Sequence, residues 1–394
     1  MKRVALFLCA INVWAVAAFA GDGTIQRSAD PVPGSYIVII DPRWPAALHA
    51  DSLARGAGGR RGHVYESVLN GFAFSGSEQA ALALSRNPQV VEVHEDGRTY
   101  GGITQFSPSA GLDRIDQTTL PLNGQYTYSY TGSGVRVYII DSGVNNVSDI
   151  AGRLVENVNF VGDGMGTADC YGHGTPVATI AAGTTYGVAK TAEIANVRVL
   201  NCNNSGTWTD FIEGFDYVRQ QKVNNPTRQM VANASIWGTP ESLADQAVIN
   251  LVNAGVAVAL IAGNNSGQNA ASFSPSRIGS ATLGAVTTGA TVPDTDAVTW
   301  YSSQGSVIDI FAPGDTQAMS NTGAQIFFNG TSAAAPYVAG VMAKHLEQFP
   351  TYTQQNLENH LIGHSSPGVL NRTLGSPDRL LYNGTRRRRP CCTF

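Results

Sequence analysis

Residues 135–143 read VRVYIIDSG, an apolar run that ends in an acid, a serine and a glycine. The run Val135–Ile140 predicts a buried strand, because its length and its β-branched and aromatic side chains suit one. Comparable apolar segments recur along the chain, at 195–200, 231–235, 256–261, 282–286 and 307–311. Helical patterns separate them, such as those at Thr209–Lys222 and Glu241–Asn253. Buried strands that alternate with helices indicate an α/β fold, with a mostly parallel central sheet flanked by helices on both faces.

The composition limits the classes of protein that this chain can belong to. It has 394 residues, of which only 14% are charged, and its formal net charge is -4. That length accommodates two or three domains with cores of their own. A negative balance gives no general attraction to nucleic acid, so no nucleic-acid partner is expected. The basic run at Arg386–Arg389 belongs to a short terminal tail, residues 386–394, which also carries Cys391 and Cys392.

The chain begins with a segment that matches a secretory signal peptide. Residues 1–20 have two basic residues near the start, then an apolar run, and they end in Ala-Phe-Ala. This segment is too short to be a good membrane anchor, and no later segment is apolar enough to span a bilayer. The sequence therefore predicts a secreted, extracellular protein with no membrane partner.

A small domain is predicted between the leader and the large α/β region, within residues 21–101. Its pattern is strand, helix, strand, helix, strand, at 36–40, 45–55, 64–74, 78–87 and 90–94. The long middle segment holds two strands that meet at Asn70 and Gly71, which gives a ferredoxin-like β-α-β-β-α-β order. Residues 97–109, rich in Gly, Ser and Thr, predict an exposed linker that a protease could cut. The large domain then covers residues 102–385.

Polar residues follow several of the predicted strands, where the functional groups of parallel sheets gather. Asp141 comes directly after Val135–Ile140, His173 lies between two glycines at the start of a helix of small residues, and Asn264 follows the strand 256–261. Two of them also have a structural interpretation: Asp141 as an exposed turn residue that caps a helix, and Asn264 as a turn residue. The amide of Asn264 can donate two hydrogen bonds.

Ser332 occupies a comparable position in the stretch 328–340, FNGTSAAAPYVAG. An apolar strand, 324–328, breaks at Gly330, and a helix of small residues begins with the serine near its first turn. Free helix amides and the helix dipole stabilise negative charge at this point, although a serine here is also a common helix cap. An acid, a base, an amide donor and a nucleophile together are the groups of acyl-transfer chemistry. Their order is Asp, His, Ser.

The chain resembles the subtilisin-type serine endopeptidases, and in particular the branch of proteinase K and aqualysin. The resemblance rests on VYIIDSG at 137–143, GHGT at 172–175, AGN at 262–264 and GTSA at 330–333, and it extends over nearly the whole chain. It implies a subtilisin-like fold, hydrolysis of peptide bonds in proteins, and a catalytic set of Asp141, His173, Ser332 and Asn264. It also implies that the small domain is an inhibitory propeptide that assists folding and is removed autocatalytically.

The resemblance implies a disulfide and structural calcium, and no organic cofactor. Cys170 and Cys202 are the only cysteine pair within the folded region, so they can form a disulfide in an oxidising compartment, and they match a disulfide of that branch. The resemblance places calcium ligands at Asp113, Asp116, Gln117 and Asn123, with Gln125 near them, and a second site at Asp309. Oxygen ligands suit Ca²⁺, but a helical turn with solvated Asp residues would give the same pattern at the first site.

Substrate-binding residues are also carried over by the resemblance. They are Ser235, Ile236, Trp237, Gly238, Ile261, Ala262 and Gly263. Trp237 replaces a glycine of the relatives, in an edge segment that pairs with the substrate backbone, and Ile261 replaces a smaller residue of the primary specificity pocket. Both changes place a larger side chain in the substrate-binding region. We therefore expect a narrowed pocket that prefers small or medium apolar side chains.

Two other classes of function are alternatives to a monomeric endopeptidase that acts on proteins or peptides. The first is a catalytically silent relative that binds peptides in a cleft narrowed by Trp237, and the presence of all four chemical groups argues against it. The second is an esterase or lipase with the same triad. Such enzymes are expected to have a Gly-x-Ser-x-Gly elbow and the order Ser, acid, His, and neither occurs around Ser332.

Overall fold

The computed structural model describes residues 23–28, 31–97, 102–371 and 373–384. The chain divides into two compact units, with the boundary between Gly101 and Gly102. The predicted leader, residues 1–20, and the basic tail, residues 386–394, lie outside the described residues.

The smaller unit is an antiparallel sheet covered by two helices. Its elements are β1 (Pro31–Ile40), α1 (Ala46–Gly56), β2 (Arg60–Tyr65), β3 (Gly71–Ser75), α2 (Glu78–Ser85) and β4 (Val90–Gly97). The strand order is β2-β3-β1-β4, with Val38 of the central strand paired to Phe72 on one side and Val93 on the other. These side chains are fully buried in one core. The predicted β-α-β-β-α-β order is therefore present.

The larger unit contains the remaining elements. They are β5 (Ile103–Phe106), α3 (Ala110–Ile115), β6 (Gln125–Tyr128), β7 (Val135–Asp141), β8 (Leu154–Asn159), α4 (Gly174–Ala182), β9 (Glu193–Arg198), α5 (Trp208–Asn224), β10 (Gln229–Ala234), α6 (Ser242–Asn253), β11 (Ala257–Ile261), β12 (Ala285–Thr291), β13 (Ile310–Pro313), β14 (Asp315–Met319), β15 (Gln325–Asn329), α7 (Thr331–Gln348), α8 (Gln354–His364), β16 (Ser366–Pro367) and β17 (Arg379–Leu380).

A nine-stranded sheet forms the centre of this unit, in the order β16-β17-β13-β12-β11-β10-β7-β9-β8. Neighbouring strands are parallel from β8 to β17, and only the short β16 pairs antiparallel. Side chains alternate along a strand, so β7 contributes to a hydrophobic core on each face of the sheet. Its residues Val137 and Ile139 pack on the side of α4 and α7, and Tyr138 and Ile140 pack on the side of α5 and α6. The predicted mostly parallel sheet with helices on both faces is thus confirmed.

Some predicted boundaries were wrong. Part of the expected linker, 97–109, forms β5, which pairs antiparallel with β6, although Ile103 and Phe106 at its two ends are exposed as expected. The strand predicted at 282–286 begins later, as β12 at Ala285. The short strands β16 and β17 carry too few residues for a periodic signal.

The sheet brings the ends of β7, β10 and β11 to one edge, because these three strands are adjacent and parallel. Helices α4 and α7 pack against each other and against β7. The segments that carry Asp141, His173, Asn264 and Ser332 therefore start from neighbouring elements. No helix within the described ranges is long and apolar enough to cross a membrane.

Candidate active site

Asp141 is the last residue of β7, and its side chain is completely buried. The carboxylate oxygen Oδ1 accepts a hydrogen bond from the backbone amide of Ser142 at 2.7 Å and lies 2.7 Å from Nδ1 of His173. The other oxygen, Oδ2, is buried and has no hydrogen-bond partner among the residues that the structure describes. A buried carboxylate needs a partner, and the imidazole supplies it.

His173 directly precedes α4, and glycines on both sides of it allow a close approach to Asp141. Gly172 has a φ of +98°, and a Cβ on Gly174 would lie 2.1 Å from the carbonyl oxygen of Gly143. Burial lowers the pKa of His173, but the charge and hydrogen bond of Asp141, together with the charge of Asp169, outweigh burial, so that the pKa is raised above its ordinary value. The imidazole is thus held with Nδ1 towards the acid, which leaves Nε2 for other chemistry.

Ser332 lies in the first turn of α7, which starts after Gly330 with a φ of 122°. The serine is 5% exposed, and its carbonyl oxygen accepts a hydrogen bond of 3.3 Å from the hydroxyl of Ser235 at the end of β10. The strand β15 leads into this turn. Its residue Phe328 places its ring edge-on to the ring of His173, with 5.5 Å between the centroids. The strand that directly precedes the serine therefore contacts the imidazole through Phe328.

Asn264 is oriented by the residue before the serine. Its oxygen Oδ1 accepts hydrogen bonds from the backbone nitrogen of Thr331 at 2.8 Å and from the hydroxyl of Thr331 at 2.9 Å. A Cβ on Gly330 would lie 3.2 Å from Nδ2 of Asn264, so the amide nitrogen faces the turn that begins α7. Asn264 is exposed, which leaves this nitrogen free to donate to a ligand.

The family model of the subtilase family, peptidase S8, matches residues 132–380 of this chain, and this match includes the four residues of the candidate site. The chain belongs to the subtilase family. An extracellular serine proteinase of Thermus sp. (strain Rt41A) is 35% identical over 382 residues, which cover 90% of this chain and 91% of that protein. The alkaline serine exoprotease A of Vibrio alginolyticus is 36% identical over 82% of this chain and 60% of that protein.

The crystal structure of a cold adapted subtilisin-like serine proteinase is also similar to this subtilase. The two chains share 38% sequence identity, and the TM-score is 0.66. The match covers 71% of this chain and 100% of the chain in that crystal structure. The predicted subtilisin-like fold is therefore confirmed. So is the predicted class of enzyme, a serine endopeptidase, since the family and its named relatives are serine peptidases.

The edge segment after β10 lines a cavity of this subtilase. The cavity has a volume of about 430 Å³, and Ser235, Ile236, Trp237 and Gly238 all contribute to its lining. The ring of Trp237 is 40% exposed and stands edge-on to Phe273, with 5.1 Å between the centroids. The residue after it is already paired, because the amide and the carbonyl of Gly238 both bond to Ser274.

The other predicted substrate-binding residues lie outside the lining of this cavity; they are Ile261, Ala262 and Gly263. Ile261 ends β11 and is packed in the core on the side of α7, with an exposed fraction of 1%. Ala262 is fully buried in a smaller cluster, and Gly263 has a φ of +98° that suits the turn to Asn264. The cavity lining does not include these three residues. The side chain of Ile261 therefore packs in the core, and its expected effect on the specificity pocket stays a prediction.

A disulfide lies next to the loop of His173. The sulfur atoms of Cys170 and Cys202 are 2.02 Å apart. The fully buried Arg198 lies behind the bond: its guanidinium group donates to Cys170 Sγ at 3.4 Å, to the carbonyl of Ser142 at 3.2 Å, and to both oxygens of Asp163. The buried guanidinium group of Arg198 therefore contacts both the disulfide and the chain at the end of β7.

The first candidate calcium site has one carboxylate oxygen without a partner. Asp116 Oδ2 accepts from the amide of Thr127 at 2.6 Å, whereas Oδ1 is buried and has no hydrogen-bond partner among the described residues. Burial and the nearby charge of Asp113 raise the pKa of Asp116 to about 7, against the effect of the amide. A carboxylate in this state has the chemistry of a cation ligand.

The neighbouring candidate ligands are partly used by the protein itself. Asp113 accepts from the amides of Asn123 and Gly124 at 3.1 and 2.7 Å, and Asn123 Oδ1 accepts from the amide of Gln125 at 2.9 Å. The side-chain nitrogen of Gln117 donates hydrogen bonds to two backbone carbonyl oxygens, so the side-chain oxygen of Gln117 points away from those carbonyls. The buried Oδ1 of Asp116 fits a calcium ligand, and the side-chain oxygen of Gln117 is not used by these two hydrogen bonds.

The second candidate site, at Asp309, does not fit a calcium ion. Its Oδ2 accepts from the amide of Thr287 at 2.8 Å, and a Cβ on Gly279 would lie 2.6 Å from that oxygen, so the backbone is already packed against it. Burial raises the pKa of Asp309 to about 8. No group of three or more His, Cys, Asp or Glu side chains that could hold a metal occurs in the ranges that the structure describes. Asp309 is a buried core acid.

Sequence reasoning missed two groups that contact the candidate site. Thr331 orients Asn264, and Asp169, with an exposed fraction of 1%, bonds to the amides on both sides of His173. Thr331 belongs to the GTSA motif, so its place next to Ser332 was a usable signal. Asp169 has no such signal, since only loop closure brings its carboxylate to these amides.

Proposed function

We propose that this subtilase is a secreted endopeptidase that cleaves proteins and peptides with Ser332 as nucleophile. His173 takes the proton of the serine as the hydroxyl attacks the scissile carbonyl, and it later gives that proton to the leaving amine. Asp141 keeps the proton of the imidazole on Nδ1, so that Nε2 is the base. The side-chain amide of Asn264 donates a hydrogen bond to the oxyanion that forms on the attacked carbonyl.

The observation that carries this proposal is the 2.7 Å contact between Asp141 Oδ1 and His173 Nδ1. Asp141 is completely buried, and its second oxygen has no donor in the described part of the chain, so the imidazole is its side-chain partner beside the backbone amide of Ser142. An acid in this state stabilises the imidazolium that forms when the base accepts a proton. A histidine that only packed against the protein would not need a fully desolvated carboxylate.

The start of α7 supports the same assignment for the serine. Helix α7 is 18 residues long, and its first turn is buried, so the free amides and the positive end of the helix dipole act with little solvent screening. Negative charge that develops next to Ser332 is stabilised there. The amide nitrogen of Asn264 faces the same turn.

The substrate backbone is proposed to pair with residues 235–237 as an additional strand. Both backbone groups of Gly238 are bonded to Ser274, which limits the free edge to the residues before it. Trp237 and Phe273 together form an aromatic wall beside this edge. We infer a preference for small or medium apolar side chains next to the scissile bond, because a large ring would have to displace this wall.

The chain is proposed to be made as a precursor. Residues 1–20 direct secretion, and residues 21–101 inhibit the peptidase and assist its folding until the enzyme removes them. The matching Thermus protein is named an extracellular serine proteinase, which supports export of this one. The mature peptidase is then a monomer, stabilised by calcium at Asp116 and Gln117. A bound ion there would compensate the buried charge of Asp116.

The proposal is tested by expressing the full chain beside Ser332→Ala, and by following chain length and casein hydrolysis with and without a calcium chelator. The wild type is expected to lose about the first hundred residues, a length set by the exposed segment after the small domain, and to hydrolyse casein. Ser332→Ala is expected to stay intact and inactive. If both chains fold and both remain intact and inert, the endopeptidase proposal fails and a peptide-binding function takes its place.

A further inference from the structure

A second buried carboxylate lies beside the loop that carries His173. Asp169 has an exposed fraction of 1% and precedes Cys170 of the disulfide. It takes part in no ion pair within the described ranges of the chain. Hydrogen bonds therefore have to compensate its charge, because a buried carboxylate without partners is strongly unfavourable.

The carboxylate of Asp169 bonds to the chain on both sides of the histidine. Oδ1 accepts from the backbone amide of Gly172 at 2.7 Å, and Oδ2 accepts from the backbone amide of Thr175 at 2.8 Å. Oδ1 also accepts from the hydroxyl of Ser142 at 2.8 Å. The two amides flank His173 in sequence, so one rigid group fixes the backbone from which the imidazole projects.

Ser142 connects this carboxylate to the triad acid. Its hydroxyl, which donates to Asp169, accepts a hydrogen bond from the amide of Gly174 at 3.0 Å. Its own amide donates to Asp141 Oδ1 at 2.7 Å. The loop of His173 and the end of β7 are thus joined at the residue next to Asp141. This joint sets the distance between the acid and the imidazole.

The backbone of Asp169 is anchored to the hairpin that leads to the serine. Its amide donates to Asn145 Oδ1 at 2.9 Å, and its carbonyl accepts from Asn321 Nδ2 at 2.8 Å. Asn145 also donates to the carbonyl of Asn321 at 3.0 Å. Asn321 lies in the turn between β14 and β15, and β15 runs directly to Ser332. The support of the histidine loop therefore reaches the element that delivers the nucleophile.

We propose that Asp169 is a positioning residue of the catalytic reaction, which holds His173 in line with Asp141 and adds a second negative charge beside the imidazole. This inference rests on the proposed function of His173 as general base. The added charge favours the protonated imidazole, and the charge of Asp169 contributes to the raised pKa of His173, after burial and Asp141. Both effects serve a base that must accept a proton in the transition state.

The test replaces the carboxylate with a neutral isostere, Asp169→Asn, in the full chain. Hydrolysis of a peptide p-nitroanilide is measured against pH for the wild type, Asp169→Asn and Ser332→Ala. The variant is expected to lose about 10- to 100-fold in kcat with little change in KM, since the substrate site is intact and the base is misplaced. The acid side of the profile of kcat/KM is expected to move to lower pH, because the imidazolium has lost a neighbouring negative charge.

A matched control is Asp149→Asn. Asp149 is a carboxylate with an exposed fraction of 3% that accepts from the amides of Thr185 and Tyr186 and does not contribute to the pKa of His173. It is expected to leave both the pH profile and kcat near those of the wild type. A profile for Asp169→Asn that keeps its acid side in place, or an unchanged kcat, would overturn the inference. Ser332→Ala distinguishes a failure of this inference from a failure of the proposed function, because an active Ser332→Ala enzyme would overturn the proposed function.

Ser142→Ala provides a second route if Asp169→Asn does not fold. It removes the hydroxyl that joins Asp169 to the end of β7 and keeps both charges. Thermal unfolding and the state of the disulfide establish that the variant is folded. The inference predicts a lower kcat with the acid side of the profile unchanged. A Ser142→Ala enzyme with the kcat of the wild type would contradict the positioning role.

Discussion

Thr331 donates two hydrogen bonds to a single acceptor, the side-chain oxygen of Asn264, from its backbone nitrogen at 2.8 Å and from its hydroxyl at 2.9 Å. Because Thr331 uses this oxygen, the amide nitrogen is the part of the Asn264 side chain that remains to donate to a ligand. It lies 3.2 Å from the position that a Cβ on Gly330 would occupy, next to the turn where α7 begins. The residue before the nucleophile thus orients the group that is proposed to bind the oxyanion.

Replacement of Asn264 tests this relationship. Asn264→Leu is expected to lower kcat by about 10²- to 10³-fold with a nearly unchanged KM, since the lost hydrogen bond forms in the transition state. Thr331→Val, which keeps the backbone bond and loses the hydroxyl, is expected to have a smaller effect, and Thr331→Ser a negligible one. Steady-state kinetics on a peptide substrate measure all three. A Thr331→Val enzyme as impaired as Asn264→Leu would show that the hydroxyl acts by another route.

The pH dependence of activity follows from the raised pKa of His173. Burial lowers this pKa, and the charge and hydrogen bond of Asp141, with the charge of Asp169, raise it by more, so it lies above the ordinary value of 6.5. The base must be neutral, and activity is therefore lost as the pH falls through a midpoint above 6.5. The profile of kcat/KM against pH measures this midpoint. A midpoint below 6.5 would contradict the assignment of His173 as the essential base.

Specificity depends on Trp237, whose ring contacts Phe273 at 5.1 Å beside the proposed substrate edge. Trp237→Gly is expected to raise kcat/KM for substrates with Phe at the cleavage position by roughly ten-fold relative to those with Ala, because the aromatic wall is removed. Competition assays with a peptide library measure the ratio. Trp300→Gly is the control, since Trp300 is 80% exposed and does not line the cavity. Efficient cleavage after Phe or Tyr by the wild type would refute the narrowed pocket.

Calcium is expected to stabilise the fold through Asp116 Oδ1, which is buried and has no hydrogen-bond partner among the described residues. In the Ser332→Ala chain, which cannot digest itself, calcium at a hundred-fold excess over its Kd should add about 2.7 kcal/mol to the free energy of unfolding. Asp116→Asn should remove most of this gain, and Asp216→Asn, at an exposed position on α5, should keep it. Thermal unfolding with calcium and with a chelator gives the comparison. Equal gains in both variants would place the ion elsewhere.

The sequence predicted the parts of the site that follow regular strands. Asp141 and Asn264 follow apolar runs whose period and length are visible in the sequence, and Ser332 follows a break before a helix. Asp169 could not be predicted, because its contact with Ser142 joins residues 27 apart through a loop without periodicity. The burial of Ile261 in the core could not be predicted from the sequence either. A residue at a strand end can face the core or a cleft, and only the packing against α7 decides which.

Packing also decided the environment of the histidines on the last two helices. His345 of α7 contacts His360 of α8, with 4.2 Å between ring centroids, and His360 contacts His364 at 4.0 Å. Both ring nitrogens of His345 and Nε2 of His360 are buried and have no hydrogen-bond partner among the described residues. Burial lowers the pKa of His360 to about 4, and burial together with the charges of His360, Lys344 and His364 lowers that of His345 well below its usual range.

This cluster predicts a loss of stability in weak acid. Groups whose pKa is lower in the folded state bind more protons when unfolded, so the stability that they provide is present above the unfolded value of 6.5 and declines as the pH falls towards 4. His360→Phe in the Ser332→Ala chain keeps the ring contacts and removes the titration. The urea midpoint of the parent is expected to fall more between pH 7.5 and pH 5 than that of the variant. Buried acids such as Asp309 titrate equally in both chains, so the difference between the chains reports on His360 together with its effect on His345, and equal losses in both would exclude His360 as the cause.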